Sequence, residues 1–278
     1  MSDNFIRSCE HWSEKNREEM IDFYSLATVD YEHLAKSKDW DLWLKNYSTQ
    51  VGYKQIKLLD IACGSGKFPQ ALLKFSKLSK ENNHSISYSL LDPSSFSIKE
   101  AAKVLKPPFI LDNTYETTLQ NFNGEKNFFD IVWATHALYA LPKDELSSAI
   151  ENMLFSLKGW GFIAHATRNS HYIKFYDSFL QAFGNNLSSN FTTAEEIIDV
   201  FENLGIDYSV KYLNYLNSTS DKNAKQLEGY LQRCVFNDNV SLQEMLSHPI
   251  TERYLHKHYN KNMWQFPQEI SLIFFKKK

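Results

Sequence analysis

Cysteine, proline and glycine are all scarce in this chain, with 3, 7 and 9 of them in 278 residues. The cysteines, Cys9, Cys63 and Cys234, are odd in number and far apart, which excludes a disulfide framework and a paired-cysteine metal motif and makes a reducing cytoplasm the expected setting. Proline-rich linkers, low-complexity tracts and internal repeats are missing too, so one main domain with additions is expected. No uninterrupted apolar run approaches the roughly 20 residues that span a bilayer. The opening stretch MSDNFIRSCEHWSEKN is polar and has no apolar signal segment, so no membrane partner is expected. A formal net charge of -3 supplies no basic field, which argues against a nucleic-acid partner.

What is present begins with helices. Residues 10–50 place aromatic and aliphatic side chains at three- and four-residue spacings with charges between them. Such periodicity predicts amphipathic helices, and residues 1–50 are read as a helical cap ahead of a domain over 51–278. From Lys57 onward KLLDIA, SISYSLLD, PPFILD, FFDIVWATH and GWGFIAHAT read as strands, with FPQALLKFSKL, SSFSIKEAAKVL and KDELSSAIENMLFSL as helices among them. This order predicts an α/β fold of mainly parallel strands joined by crossover helices.

Farther along, HYIKFYDSFLQAF and TAEEIIDVFENLG read as helices. Thr192 or Thr193 is placed to cap the second, Glu195 or Glu196 to favour its positive end, and Gly205 to end it. DYSVKYLNYL and the terminal EISLIFFKK read as strands. Residues 218–265 between them read as a mostly helical insertion, too long for a turn and therefore expected to be a lid.

The turn in LLDIACGSGKFP, residues 58–69, invites a ligand. A phosphate-binding loop requires Ser or Thr after Gly66-Lys67, where Phe68 stands, and glycine where Ile61 stands. A dinucleotide turn favours glycine or alanine where Pro69 stands, which weakens a nicotinamide reading but leaves it open. Pro69 suits the first turn of a helix, where its missing N–H costs nothing. Gly64 and Gly66 let the backbone pass close to a ligand, and Asp60 is placed at the strand end to bind or to brace the turn. Asp92, in LLDPSS, ends the next strand, where a carboxylate can accept hydrogen bonds from both hydroxyls of a ribose.

The succession LLDIACGSG, LLDPSS and FDIVWATHALYAL resembles the class I S-adenosylmethionine-dependent methyltransferases, which have a Rossmann-like, mainly parallel seven-stranded sheet flanked by helices. More narrowly, DPSSFSI, YETT, HALYAL, the helix from Thr193 to Leu204 and QEISLIFF follow the order of segments in the histamine N-methyltransferase-type small-molecule methyltransferases. The resemblance implies S-adenosyl-L-methionine as cofactor. It sets Gly64 and Gly66 against the methionine portion, Asp92 on the ribose, Thr118 near the adenine and Thr135 along the same site, with Ala62 where many members carry glycine.

It also implies a small-molecule methyl acceptor, with an amine nitrogen as first reading. O- or S-methylation and non-catalytic cofactor binding are the alternatives. His136 aligns with a substrate-contacting glutamine and is placed to hold the acceptor or take its proton. Asp30 or Glu32 matches an amine-binding acid, and Gln268 matches an amide position. Tyr24 and Tyr139 are the aromatics expected around a cationic ligand. The remaining histidines show no metal-ligand arrangement.

Overall fold

The computed structural model describes residues 3–52, 55–79, 85–184 and 190–277. Three helices come first, α1 (Asp3–His11), α2 (Arg17–Lys36) and α3 (Trp40–Val51). Alternation follows: β1 (Gln55–Ile61), α4 (Lys67–Phe75), β2 (Ser85–Asp92), α5 (Ser95–Val104), β3 (Phe109–Glu116), β4 (Phe129–Thr135), α6 (Lys143–Ser156) and β5 (Leu157–Ala166). Next come α7 (His171–Phe183), α8 (Ala194–Asn203) and β6 (Asp207–Ser220). The helices α9 (Ala224–Cys234), α10 (Leu242–Ser247) and α11 (Pro249–His256) then precede the short β7 (Tyr259–Asn260) and the long β8 (Met263–Lys276). At α8 a full capping box forms between Thr193 and Glu196, and Gly205 follows the helix with φ 64°.

The strands lie in the order β3-β2-β1-β4-β5-β8-β6, with β7 beside β8. The expected seven strands thus make the main path, and the two-residue β7 is an eighth that no short sequence pattern announces. β1, β2, β3, β4 and β5 pair in parallel, while β8 runs antiparallel to β5 and β6. The chain travels outward from β1 to β3 and then returns to the other side of β1 for β4. That reversal leaves a crevice at the carboxyl ends of β1 and β4, where ligands bind in open sheets of this kind.

Burial on both faces explains why β1, β2, β4 and β5 read as continuous apolar runs, whereas the edge strand β3 is largely exposed. Every residue of β4 is buried. Along β1, Ile56 and Leu58 pack into one layer and Leu59 and Ile61 into the other; Ile131 and Trp133 alternate with Val132 and Ala134 along β4. The first layer includes α2, α3, α4 and α7, and the second includes α6 and α8.

One boundary differs from the pattern. β6 and β8 pair without a break from Asp207 opposite Lys276 to Ser220 opposite Met263, so residues 218–220 and 263–265 extend a hairpin where helix was expected. Asn214, Asn217, Ser218 and Thr219 carry no apolar strand signal, and it is the pairing with β8 that satisfies their backbone.

Candidate active site

β1 ends beneath a turn whose Ala62, Gly64 and Gly66 all have positive φ, at 49°, 51° and 73°. Gly66 serves packing: a Cβ there would sit 2.6 Å from Val104 Cγ2 and 2.9 Å from Ala101 Cα, so its bareness lets the start of α4 approach α5. Gly64 serves the crevice, and its N–H donates to Asp92 Oδ2 at 3.0 Å. The other carboxylate oxygen, Asp92 Oδ1, accepts from the Ser94 N–H at 2.9 Å. Each oxygen keeps acceptor capacity after these bonds. Burial pushes the Asp92 carboxyl up to about 6, and the two amides oppose that shift.

Asp92, Gly64, Thr118 and Thr135 line one cavity, and Tyr24, Asp30, His136 and Tyr139 continue its wall. Asp60 and Gly66 stand outside that wall. The Asp60 carboxylate turns inward and accepts from Tyr88 Oη at 2.7 Å, while Trp133 Nε1 donates to the same Tyr88 oxygen at 3.2 Å. Burial pushes Asp60 up to about 7. Its position braces the strand below the turn.

At the far end of the cavity, α2 and the end of β4 meet. Asp30 is 2% exposed; it accepts from the Tyr172 hydroxyl and, at 2.7 Å, from Asn217 Nδ2. Burial raises its pKa to about 7, against the pull of those two donors. His136 has φ 55°, a conformation that costs a non-glycine residue energy and that concentrates at functional sites. Its N–H donates to the Ala164 carbonyl at 2.9 Å, and its Nδ1 lies 2.8 Å from the Tyr139 hydroxyl. Nε2 is shielded from solvent and has no partner. Burial holds the imidazole down to about 3, so it is neutral at pH 7. Tyr31 and Tyr172 close on it edge-on, with ring centroids 5.7 Å and 6.0 Å away.

Glu32 and Gln268 are not brought to this wall. Glu32 lies on the outer side of α2 and pairs with Lys36 one turn on. Gln268 is buried behind the wall, where its Oε1 accepts from the Ser170 hydroxyl and its Nε2 donates to Tyr230 Oη at 3.2 Å. Among the wall residues absent from the sequence-based candidates are Trp12, Tyr172 and Arg233. Tyr172 has no readable signal, because it meets Asp30 from 142 positions away. Arg233 has one, a charge set within the apolar stripe of α9.

The residues fit a nucleoside-bearing cofactor. A bare Gly64 backbone faces a carboxylate with spare acceptor capacity, and both line the cavity that runs on to Asp30 and His136. Among the described residues no group of His, Cys, Asp and Glu is arranged to hold a metal ion, and no helix is long and apolar enough to cross a membrane.

No protein-family model and no curated protein sequence matches the chain. Solved structures do. Magnesium protoporphyrin IX methyltransferase from Synechocystis PCC 6803, with bound S-adenosylhomocysteine, is 11% identical with a TM-score of 0.53, over 97% of this chain and 99% of that one. The plantazolicin methyltransferase BpumL, in complex with S-adenosylhomocysteine, is 13% identical with a TM-score of 0.52, over 98% and 96%. A methyltransferase from Thermotoga maritima, described as a possible histamine N-methyltransferase, is 14% identical with a TM-score of 0.50, over 96% and 99%. At such identities the likeness establishes architecture, and the chain has the Rossmann-like fold of the class I S-adenosylmethionine-dependent methyltransferases.

Proposed function

We propose that the chain is an S-adenosyl-L-methionine-dependent methyltransferase that N-methylates a small polar amine. The observation that carries this reading is a single cavity with two buried carboxylates: Asp92, bonded to the Gly64 amide at 3.0 Å, and Asp30, at the end shared with His136. The donor supplies an electrophilic methyl carbon on a sulfonium. Asp92 is the acceptor for its ribose hydroxyls, Gly64 admits its methionine portion, and Thr118 and Thr135 line its site. Asp60 and Gly66 support the turn from behind.

On the other side Asp30 holds an ammonium and takes its proton, which frees the lone pair that must attack. A group whose pKa lies near 7 suits that exchange at neutral pH, whereas an imidazole held near 3 does not. His136 therefore positions the acceptor through Nε2, and Tyr24 and Tyr139 wall out water and face the cationic centre. Gln268 steadies the wall through Tyr230, and Glu32 remains with Lys36. Residues 1–50 serve as a cap and 218–265 as a lid, and three free cysteines favour a cytoplasmic setting.

The test is incubation with methyl-labelled donor and a panel of amines, thiols and carboxylates, with products identified by mass. Labelled amines are the expected result. Label confined to oxygen or sulfur would overturn the choice of acceptor atom, and donor binding without any transfer would overturn catalysis.

A further inference from the structure

The buried stripe of α9 carries Leu227, Tyr230, Leu231 and Cys234. Arg233 sits within that stripe, is 2% exposed, and lines the same cavity as Gly64, Asp92 and Asp30. A guanidinium has five N–H donors, and a buried one ordinarily finds acceptors, because an unpaired charge in the interior is among the costliest features a fold can hold. Here Nη2 donates to the Asn16 carbonyl at 3.0 Å, but Nε and Nη1 have no acceptor. The group is held in place by the Trp12 ring, with Cζ 5.6 Å from its centroid. Trp12 is fixed in turn, since its carbonyl accepts from the Ser94 hydroxyl next to Asp92 in the chain by two residues. Asp238 and Glu19 offset the charge from a distance, yet neither forms an ion pair with Arg233 among the described residues, and Asp238 instead lies 3.3 Å from His11 Nε2.

The geometry points to Arg233 as the anchor for a ligand carboxylate, its free Nε–H and Nη1–H donors forming charge-assisted hydrogen bonds to one anionic group inside the cavity. A monoanion is favoured over a phosphate dianion because Asp238 and Glu19 already place negative charge near this one arginine. Two molecules of the proposed reaction carry such a group: the donor, at its methionine end, and an acceptor of the amino-acid class. The first source rests on the donor reading above; the second stands on Arg233 alone.

Arg233→Met removes the donors while keeping a long apolar stem, and Arg233→Lys keeps the charge without the planar fork. Calorimetric titration with S-adenosylhomocysteine and with 5′-methylthioadenosine, which lacks the amino-acid portion, reads the first source. If the donor carboxylate is the partner, Arg233→Met weakens S-adenosylhomocysteine roughly 10- to 100-fold and leaves 5′-methylthioadenosine within about twofold, with Arg233→Lys in between. If the acceptor carboxylate is the partner, wild-type protein saturated with S-adenosylhomocysteine prefers α-amino acids over the amines made by decarboxylating them, and both variants lose that preference.

Two results together overturn the proposal: an S-adenosylhomocysteine to 5′-methylthioadenosine affinity ratio that the variants leave unchanged, and no arginine-dependent preference for amino acids. Arg233 is then a brace for Asn16 and Trp12. Wild-type protein that binds neither nucleoside overturns the donor reading instead, and the amino-acid titration without nucleoside then decides Arg233. Should Arg233→Met fail to fold, the same ratios are read from Arg233→Lys.

Discussion

The proposed donor edge and the proposed acceptor end of the cavity both hold a buried carboxylate raised by burial, yet they are built in different ways. At the donor edge Asp92 is held by backbone amides, those of Gly64 and Ser94, over sequence separations of 28 and 2. At the acceptor end Asp30 accepts from distant side chains, Tyr172 and Asn217, from separations of 142 and 187. A backbone-held acid depends on the path of one turn, which a strand, a glycine and a helix start determine together. A side-chain-held acid depends on three elements arriving in the right places, α2, α7 and β6, so it is set by packing. Under the proposed function the chemistry divides along the same line, with donor recognition on the sheet edge and proton handling on α2.

The sharpest way to break that division is Asp30→Asn. Turnover is expected to fall on the order of 10²- to 10⁴-fold, as for loss of a general base, with S-adenosylhomocysteine affinity unchanged. Asp30 is protonated below about 7 and cannot take a proton there, so the wild-type rate rises as pH passes about 7, and the variant lacks that limb. Donor affinity that dropped along with turnover would merge the two regions.

Asp92→Ala tests the other side. It leaves the Gly64 and Ser94 amides without their acceptor, and S-adenosylhomocysteine affinity is expected to fall by about 100-fold by calorimetry. Unaltered affinity would remove Asp92 from the donor site.

Asp60→Asn separates bracing from binding. Asp60 is raised in the fold to about 7 from the ordinary carboxyl value of 3.8, so the unfolded chain ionises first and wild-type stability falls as pH climbs through that window. An asparagine still accepts from Tyr88 without that dependence. Urea unfolding at pH 5 and pH 8 should therefore show the variant gaining on wild type by about 2 kcal/mol between them. A difference that stays constant with pH would mean that Asp60 is ionised in the folded protein.

Ala62→Gly is the smallest effect. Alanine at φ 49° is strained, and glycine there is expected to add about 0.5–1 kcal/mol to stability while leaving nucleoside binding alone. Lower stability would show that the methyl group packs for more than the strain costs.

Legibility followed the same divide. The alternation from Lys57 to Ala166 was readable because parallel strands buried on both faces are short apolar runs between helices of the 3.6 period. The Thr193 cap was readable because its partner Glu196 lies three positions on. β6 beyond residue 216 was not, since a polar strand paired to β8 carries no apolar alternation. Glu32 and Asp30 could not be told apart by type; two residues along a helix turn the side chain from the cavity to Lys36. Trp12 was hidden because an aromatic in a helical pattern has the same sequence whether it faces core or cavity, whereas Arg233 carried a signal, a charge within the apolar stripe of α9, that did not say what it faces.

By itself the sequence determined the alternation of strands and helices in the parallel half, the glycine turn and the placing of Asp92 at the next strand end, because each is a matter of neighbours within one or two elements. The tertiary structure alone decided that Asp30, Tyr172 and Asn217 meet, that His136 is a neutral imidazole with a bare Nε2, and that Arg233 reaches the cavity with donors unpaired. Burial sets the charge of a carboxylate or an imidazole, and burial belongs to the packed whole.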